Sequence, residues 1–286
     1  MADLIKKHFY KITLTIPEEF QEMSSAMLSD FPFTGIEDEF DEQSFTIEDV
    51  YWDNGNIANQ LLSILESTSI PVEIKDIMII EDQNWNAIWE ESLEPVQVNE
   101  SIVITPIWKA HLIESPIKII INPQMSFGTG YHATTRMVCR KLQEYVDANS
   151  HWIDAGCGSG VLAILAEKLG ASYIYAFDND EWSIANTKEN IPINNCTSIT
   201  VEQVSIFNVD LPQVHGIAAN LYRNLLIPNI HKFAKALEDS KGVLIMSGIL
   251  RFDEQEIIDC AVQHNFIHIS TEYEGDWTAI TMRYNA

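Results

Sequence analysis

Basic residues are scarce in this 286-residue chain: 17 lysines and arginines stand against 42 aspartates and glutamates, a formal charge of −25 at pH 7. That deficit argues against nucleic acid as the main partner, because binding a phosphate backbone depends on neutralising it with cations. A basic protein or peptide is the better fit, and solubility alone is the other reading of the same acidity. Long apolar runs are missing too. No window of about 18 uncharged apolar residues occurs, so no membrane-spanning helix and no membrane partner are expected. The start, Met1-Ala2-Asp3-Leu4-Ile5-Lys6-Lys7, has no apolar signal segment, so a cytoplasmic protein is expected. Four cysteines, Cys139, Cys157, Cys196 and Cys260, lie far apart, with neither the paired spacing of a zinc site nor the density of a disulfide framework. Reduced thiols and no metal are expected. Repeats and low-complexity tracts are absent as well.

What is present suffices for two cores, since 46% of the residues are hydrophobic. The alternation of His8 to Ile16 predicts a half-buried strand, and Pro17 with Glu18 and Glu19 opens a helix reaching Leu28. Strand-like runs at Thr34 to Phe40 and Ser44 to Tyr51 flank a turn at Asp41-Glu42-Gln43, followed by a helix over Asn56 to Glu66 and a strand from Pro71 to Ile80. This order fits a small ferredoxin-like α+β domain over residues 1–80. The acidic stretch Glu37 to Glu42 reads as a solvated hairpin that blunts an edge strand. Residues 81–100 read as a linker, with Trp85 and Trp89 at i and i+4 on a short helix and Pro95 behind them.

From Ser101 to the end strands alternate with helices, as in a doubly wound α/β sheet. Strands are expected at Ile102 to Thr105, Lys118 to Asn122, His151 to Asp154, Tyr173 to Asp178, Ile199 to Gln203, Gly216 to Asn220, Gly242 to Gly248, Phe266 to Glu274 and Trp277 to Tyr284. The clearest helices span Thr134 to Val146, Gly160 to Leu169, Asp180 to Asn190, Leu225 to Leu237 and Phe252 to Gln263.

Glycine is sparse, twelve in all, yet three fall at alternate positions in Trp152-Ile153-Asp154-Ala155-Gly156-Cys157-Gly158-Ser159-Gly160-Val161-Leu162-Ala163. Strand, glycine turn and helix start together mark a nucleotide-type cofactor site, where positive φ and bare backbone permit close approach and the helix start offers unpaired N–H groups. A phosphate loop needs Lys-Ser or Lys-Thr after its last glycine, and Val161-Leu162 stand there instead. A dinucleotide fingerprint runs G-x-G-x-x-G, which this turn does not match. S-adenosylmethionine asks for acceptors rather than phosphate ligands. Asp178, ending the next strand, can accept from both ribose hydroxyls, with Asp180 free to cap the following helix. Asp154, beneath the turn, either faces the ligand's ammonium end or fixes the turn through its backbone N–H groups.

These segments resemble a known family. Phe127-Gly128-Thr129-Gly130-Tyr131-His132-Ala133-Thr134-Thr135, the glycine turn, Asp178 with Asp180, Ala219-Asn220-Leu221 and Ser247-Gly248-Ile249-Leu250 are similar to the methyltransferases that modify large-subunit ribosomal protein L-eleven (L11). The first segment is the most specific. The resemblance implies a class I methyltransferase with a doubly wound, Rossmann-like sheet over residues 101–286 and a smaller amino-terminal ferredoxin-like domain for substrate recognition. It further implies S-adenosylmethionine as cofactor, a monomer, and protein L-eleven as substrate, methylated on lysine or amino-terminal nitrogens. Carried over, the cofactor contacts fall on Thr135, Gly156, Asp178 and Asn220, with Phe127 packing over the ligand and Gly158 in the turn; Asn220 also lines the acceptor entrance.

No residue is singled out as a general base. His132 reads as a loop-fixing hydrogen bonder, Cys157 as a small packing residue, and Trp277 as core. The chain departs from the family pattern at His215-Gly216 and at Leu221-Tyr222-Arg223, so the acceptor pocket is where it is expected to differ. Glutamine methyltransferases of release factors carry Asn-Pro-Pro-Tyr at the acceptor strand, and Asn220-Leu221-Tyr222-Arg223 lacks both prolines. A non-catalytic module that holds ribosomal protein is the reading from another class.

Overall fold

The computed structural model describes residues 8–28, 31–48, 56–68, 70–81, 93–124 and 127–285. The expected helix around Trp85 and Trp89 lies outside them. The chain divides into two compact units, Met1–Glu91 and Ser92–Ala286.

In the first unit, β1 (His8–Thr15), α1 (Glu18–Met27), β2 (Phe33–Glu39), β3 (Glu42–Glu48), α2 (Asn56–Glu66) and β4 (Glu73–Glu81) follow one another. Among the described residues they build a four-stranded sheet in the order β2-β3-β1-β4. This is the ferredoxin-like arrangement expected from the sequence. Alternate residues of β1 and β3, Ile12, Leu14, Phe45 and Ile47, are buried with Leu61 and Leu65 of α2. The hairpin turn starts one residue earlier than its composition suggests and is one residue shorter, at Phe40-Asp41, with Glu39 opposite Glu42. Gln43 therefore belongs to β3, fully buried, and its amide donates to the Gln21 carbonyl at 3.0 Å and to Asp38 at 2.7 Å. A polar residue whose hydrogen bonds are satisfied inside looks like a turn residue in sequence.

The second unit begins with β5 (Val96–Gln97), β6 (Ile102–Pro106) and β7 (Ile117–Ile121). Here the structure corrects the sequence: β6 and β7 do not join the large sheet but form a separate small one with β5. They pair parallel to each other, joined by a ten-residue connection, 107–116, that contains the 3-10 helix Ile107–Leu112 in place of the longer crossover helix usual between parallel strands.

The large sheet comprises β8 (His151–Ala155), β9 (Tyr173–Asp178), β10 (Ile199–Gln203), β11 (Gly216–Asn220), β12 (Val243–Leu250), β13 (Phe266–Glu274) and β14 (Trp277–Tyr284). Among the described residues their spatial order is β10-β9-β8-β11-β12-β14-β13, parallel except for β14, which runs antiparallel to both β12 and β13. The order reverses at β8, and such a reversal opens a crevice at the carboxyl ends of the strands.

Helices cover both faces. Val138, Leu142, Leu162, Leu165 and Ile184, from α3 (Ala133–Tyr145), α4 (Val161–Leu169) and α5 (Glu181–Ile193), pack on one side with the small sheet. Leu226, Ile230, Phe233, Ile257 and Ala261, from α6 (Arg223–Leu237) and α7 (Glu254–Gln263), pack on the other. Three buried asparagines one turn apart, Asn186 and Asn190 of α5 and Asn194 at its C-cap, stitch this helix to the end of β7. The Asn194 side chain accepts the Ile120 N–H at 2.9 Å, Asn190 accepts the Asn122 N–H at 2.7 Å, and Asn186 donates to the Asn122 carbonyl at 2.9 Å.

Close packing between β8 and β11 supplies a direct test of this core. A Cβ at Gly216 would lie 2.4 Å from the indole of Trp152, which is buried and cannot swing aside. Gly216→Ala should lower unfolding stability by about 1–3 kcal/mol, read from the urea midpoint, and an unchanged midpoint would contradict the packing.

Candidate cofactor site

At the carboxyl edge of the sheet lies a cavity of about 320 Å³. Its floor is the glycine turn. Gly156 and Gly158 hold φ of 74° and 54°, and a Cβ at Gly158 would sit 2.4 Å from the Phe127 carbonyl oxygen. Protein backbone, before any ligand, therefore demands glycine at 158.

The turn's own amides are spoken for. Phe177 O accepts from Gly156 and Cys157 N–H at 2.9 and 3.0 Å, Phe127 O from Ser159 N–H at 2.8 Å, and Cys157 O from Gly160 N–H at 2.8 Å. The remaining amide, Gly158 N–H, donates to Asp178 Oδ2 at 3.0 Å. From below, Thr187 donates to the Gly158 carbonyl at 2.7 Å and Asn190 to the Ser159 carbonyl at 2.9 Å. The sequence placed unpaired N–H groups at the helix start; the five amides of the turn before it, Gly156 to Gly160, all bond within the protein, so the turn itself forms no phosphate cradle.

Asp178 closes β9 and lines the cavity. Its Oδ1 accepts the Asp180 N–H at 3.0 Å, so each carboxylate oxygen spends one lone pair on the backbone and keeps another for a ligand. Asp180 takes the capping duty, accepting Ser183 N–H at 2.8 Å; these bonds to Ser183 hold its carboxyl below the usual carboxylate range.

Asp154 lies beneath the turn, 1% exposed, and its Oδ2 accepts the Ala163 N–H at 3.0 Å. Cys157 is buried against Thr187 and burial pushes its thiol up, so it is an inert packing group in the turn.

Five of the six residues expected to hold the cofactor meet at this cavity: Phe127, Gly156, Gly158, Asp178 and Asn220. The sixth, Thr135, sits buried in the first turn of α3, where the wall is made by its neighbour Thr134. Two buried polar atoms here, Thr135 Oγ1 and Asn220 Oδ1, have no hydrogen-bond partner within the protein. Orphaned groups of this kind are uncommon and point to a partner from outside the chain.

His132 caps α3, its Nδ1 accepting the Thr134 N–H at 3.3 Å. Burial and the Arg136 charge hold its pKa below the ordinary histidine value, so the ring is neutral near pH 7. Trp277 departs from its expected place in the core. It is half-buried, lines the cavity, and meets His132 with ring centroids 4.6 Å apart. Because β14 runs antiparallel, its first residue comes to the carboxyl edge of the parallel strands, opposite Leu250.

Arg223, in the segment expected to differ from the family, turns away to Glu256 and Asp253, whereas Leu221 and Tyr222 line the cavity. The sequence reading missed Asn179, Ser183 and residues 204–207, which complete the wall beyond β9 and β10. Their signal was positional: Asn179 and residues 204–207 directly follow the strands on one side of the reversal point, and Ser183 opens the helix behind β9.

No lysine or arginine lines the cavity among the described residues. Nor do three His, Cys, Asp or Glu side chains converge there to hold a metal ion. A chamber with carboxylate and amide acceptors, aromatic walls and no cation suits a ligand that is positively charged and free of phosphate.

The turn can be tested apart from any ligand. Gly158→Ala should push the Phe127 carbonyl away and break its bond to Ser159 N–H. Hydrogen exchange at the Ser159 amide should then speed up at least tenfold over the wild type, and unaltered exchange would contradict the contact.

The comparisons with known proteins agree with this geometry. The family model described as Ribosomal protein L11 methyltransferase (PrmA) matches residues 9–285. A ribosomal protein L11 methyltransferase of Chlorobaculum tepidum is 37% identical over 205 residues, covering 68% of this chain and 69% of its own length. Another, from Clostridium perfringens, is 32% identical over 203 residues, covering 71% of this chain and 64% of its own. The crystal structure of a ribosomal protein L11 methylase from Lactobacillus delbrueckii subsp. bulgaricus is similar at a TM-score of 0.62 and 25% identity, covering 68% of this chain and 100% of that one. By that match over nearly its whole length, the chain belongs to the ribosomal protein L11 methyltransferase family.

Proposed function

We propose that this chain methylates ribosomal protein L11 on lysine or amino-terminal nitrogens with S-adenosylmethionine as donor, and that residues 1–80 dock the basic substrate. The observation that carries the reading is the acceptor-lined, cation-free cavity over the glycine turn. In this reading Asp178 holds the ribose hydroxyls, Gly156 and Gly158 give the ligand room, Phe127 packs over it, and Thr135 serves the methionine end. The orphaned amide oxygen of Asn220, a residue of the cavity wall, supports the fit, since it lacks a partner within the protein.

Bound S-adenosylmethionine supplies a methyl already activated on a positively charged sulfur, whose charge also favours the neutral form of a nearby amine. The protein's work is positioning. A lysine amine has a solution pKa near 10.4, so about one in a few thousand is neutral at pH 7. Asn220 Oδ1, buried and unpartnered at the end of β11, can accept an N–H of that amine and fix the direction of its lone pair. Phe127, Trp277 and Leu221 wall the cavity with apolar surface that excludes water. His132 Nδ1 is engaged with Thr134, so that nitrogen takes no proton from the acceptor. With no dedicated base in this reading, the proton leaves to water before transfer.

Mass spectrometry of unmethylated L11 incubated with the purified chain and S-adenosylmethionine should show stepwise gain of methyl groups. An unchanged mass would overturn the substrate assignment. Asp178→Ala removes the ribose acceptor and the anchor of Gly158 N–H together. Charge-assisted hydrogen bonds of this kind are worth about 1.5–3 kcal/mol, so cofactor affinity should fall roughly 10- to 100-fold by calorimetry, and an unaltered affinity would remove the assignment.

A further inference from the structure

Beneath the glycine turn, behind the cavity wall, one buried carboxyl is unexplained. Asp154 Oδ2 is satisfied by Ala163 N–H, but Oδ1 is buried with no partner. Among the described residues its surroundings hold no counter-charge. On the neighbouring strands its register partners are Ala176 of β9 and Ala218 of β11, and the charged group bearing on it is the like-charged Asp178. From α3 comes Cys139 and from the turn Cys157, two thiols that burial keeps neutral, the former pushed up to about 12.

The α3 cations are committed elsewhere: Arg136 to Glu274, Arg140 to Glu272 and Glu274, and Lys141 to Glu144 and Glu272. Burial pushes the Asp154 carboxyl up to about 7; the Ala163 bond opposes the rise and the Asp178 charge adds to it. A carboxyl with a vacant buried oxygen and no cation within reach is cheapest to keep neutral. A ligand carrying a sulfonium and an ammonium into the cavity above it supplies the missing charge.

We propose that Asp154 is the proton-linked element of the cofactor site: it carries a proton in the free protein and releases it to solvent as the cationic cofactor binds. The O–H bond of the carboxyl breaks, its electron pair stays on the carboxylate, and the proton goes to buffer. Binding thereby creates one negative charge beneath the turn for the positive charge that enters above it. Cofactor affinity is then linked to pH. The protonated form dominates below the carboxyl's folded value, so affinity falls as the solution becomes more acidic and levels off on the alkaline side.

The test is titration calorimetry of S-adenosylmethionine into the full chain, in pairs of buffers with different ionisation enthalpies. Near pH 7 the wild type should release about half a proton per cofactor, and its affinity should drop about tenfold from pH 8 to pH 6. Asp154→Asn, which keeps an acceptor for Ala163 N–H, should abolish that release and flatten the profile. The ligand's own amine titrates alike in both proteins, so the difference between them isolates Asp154.

Infrared difference spectra of the wild type should also lose a protonated-carboxyl band on cofactor addition at pH 6, a readout that survives if the variant does not fold. Equal proton release in wild type and variant, or no band lost, would overturn the proposal. The inference rests on S-adenosylmethionine as cofactor but not on L11 as substrate, so a failed methylation assay and a failed proton count are separate results.

Discussion

One carboxylate ties the site together. Asp178 gives one oxygen to Gly158 N–H and the other to Asp180 N–H, and so pins the glycine turn to the end of β9. The turn is thereby fixed in the geometry that its two neighbours require. Phe127 lies so near Gly158 that only glycine fits, and the Thr187 and Asn190 side chains hold the turn from α5. Asn190 also binds the Asn122 N–H, so the small sheet and the turn share one buried side chain. Cavity, helix and small sheet are held by a single hydrogen-bond network.

The same network explains the ligand class. Glycine turns that bind phosphate leave their amides free, because the N–H groups are the ligand contacts. Here those amides bond to protein, and what faces the cavity are the acceptors Asp178 and Asn220 with aromatic rings around them. Acceptors without cations favour a ligand of positive charge. S-adenosylmethionine has that charge and has no phosphate, and it is a methyl donor fitting the methyltransferase family to which the chain belongs.

Much of this was legible in the sequence, and the exceptions have physical causes. Strands such as Tyr173–Asp178 and Gly216–Asn220 are buried on both sides and end on polar residues, so their bounds could be read directly. Asp178 was recognisable for the same reason, as a polar residue closing an apolar run, whereas Asn220 was named through the resemblance to the family. What could not be read depended on contacts distant in sequence. Ile102–Pro106 and Ile117–Ile121 look like strands of the main sheet, and only tertiary pairing assigns them to another. Trp277 looks like core until the reversed direction of its strand carries it to the cavity edge. The closure of the turn's amides involves Phe127, Phe177 and Asp178, residues that no local pattern connects.

The central claim is that the space above the glycine turn, between Asp178 and Asn220, is a cofactor site built on acceptors. A crystal structure of the chain with S-adenosylhomocysteine tests it most directly. The account predicts ribose hydroxyls on the Asp178 carboxylate and the amino-acid end towards Thr135 and Asn220, with the amides of the turn still bonded to protein. A ligand bound elsewhere, or a turn whose amides swing out to meet it, would contradict the account.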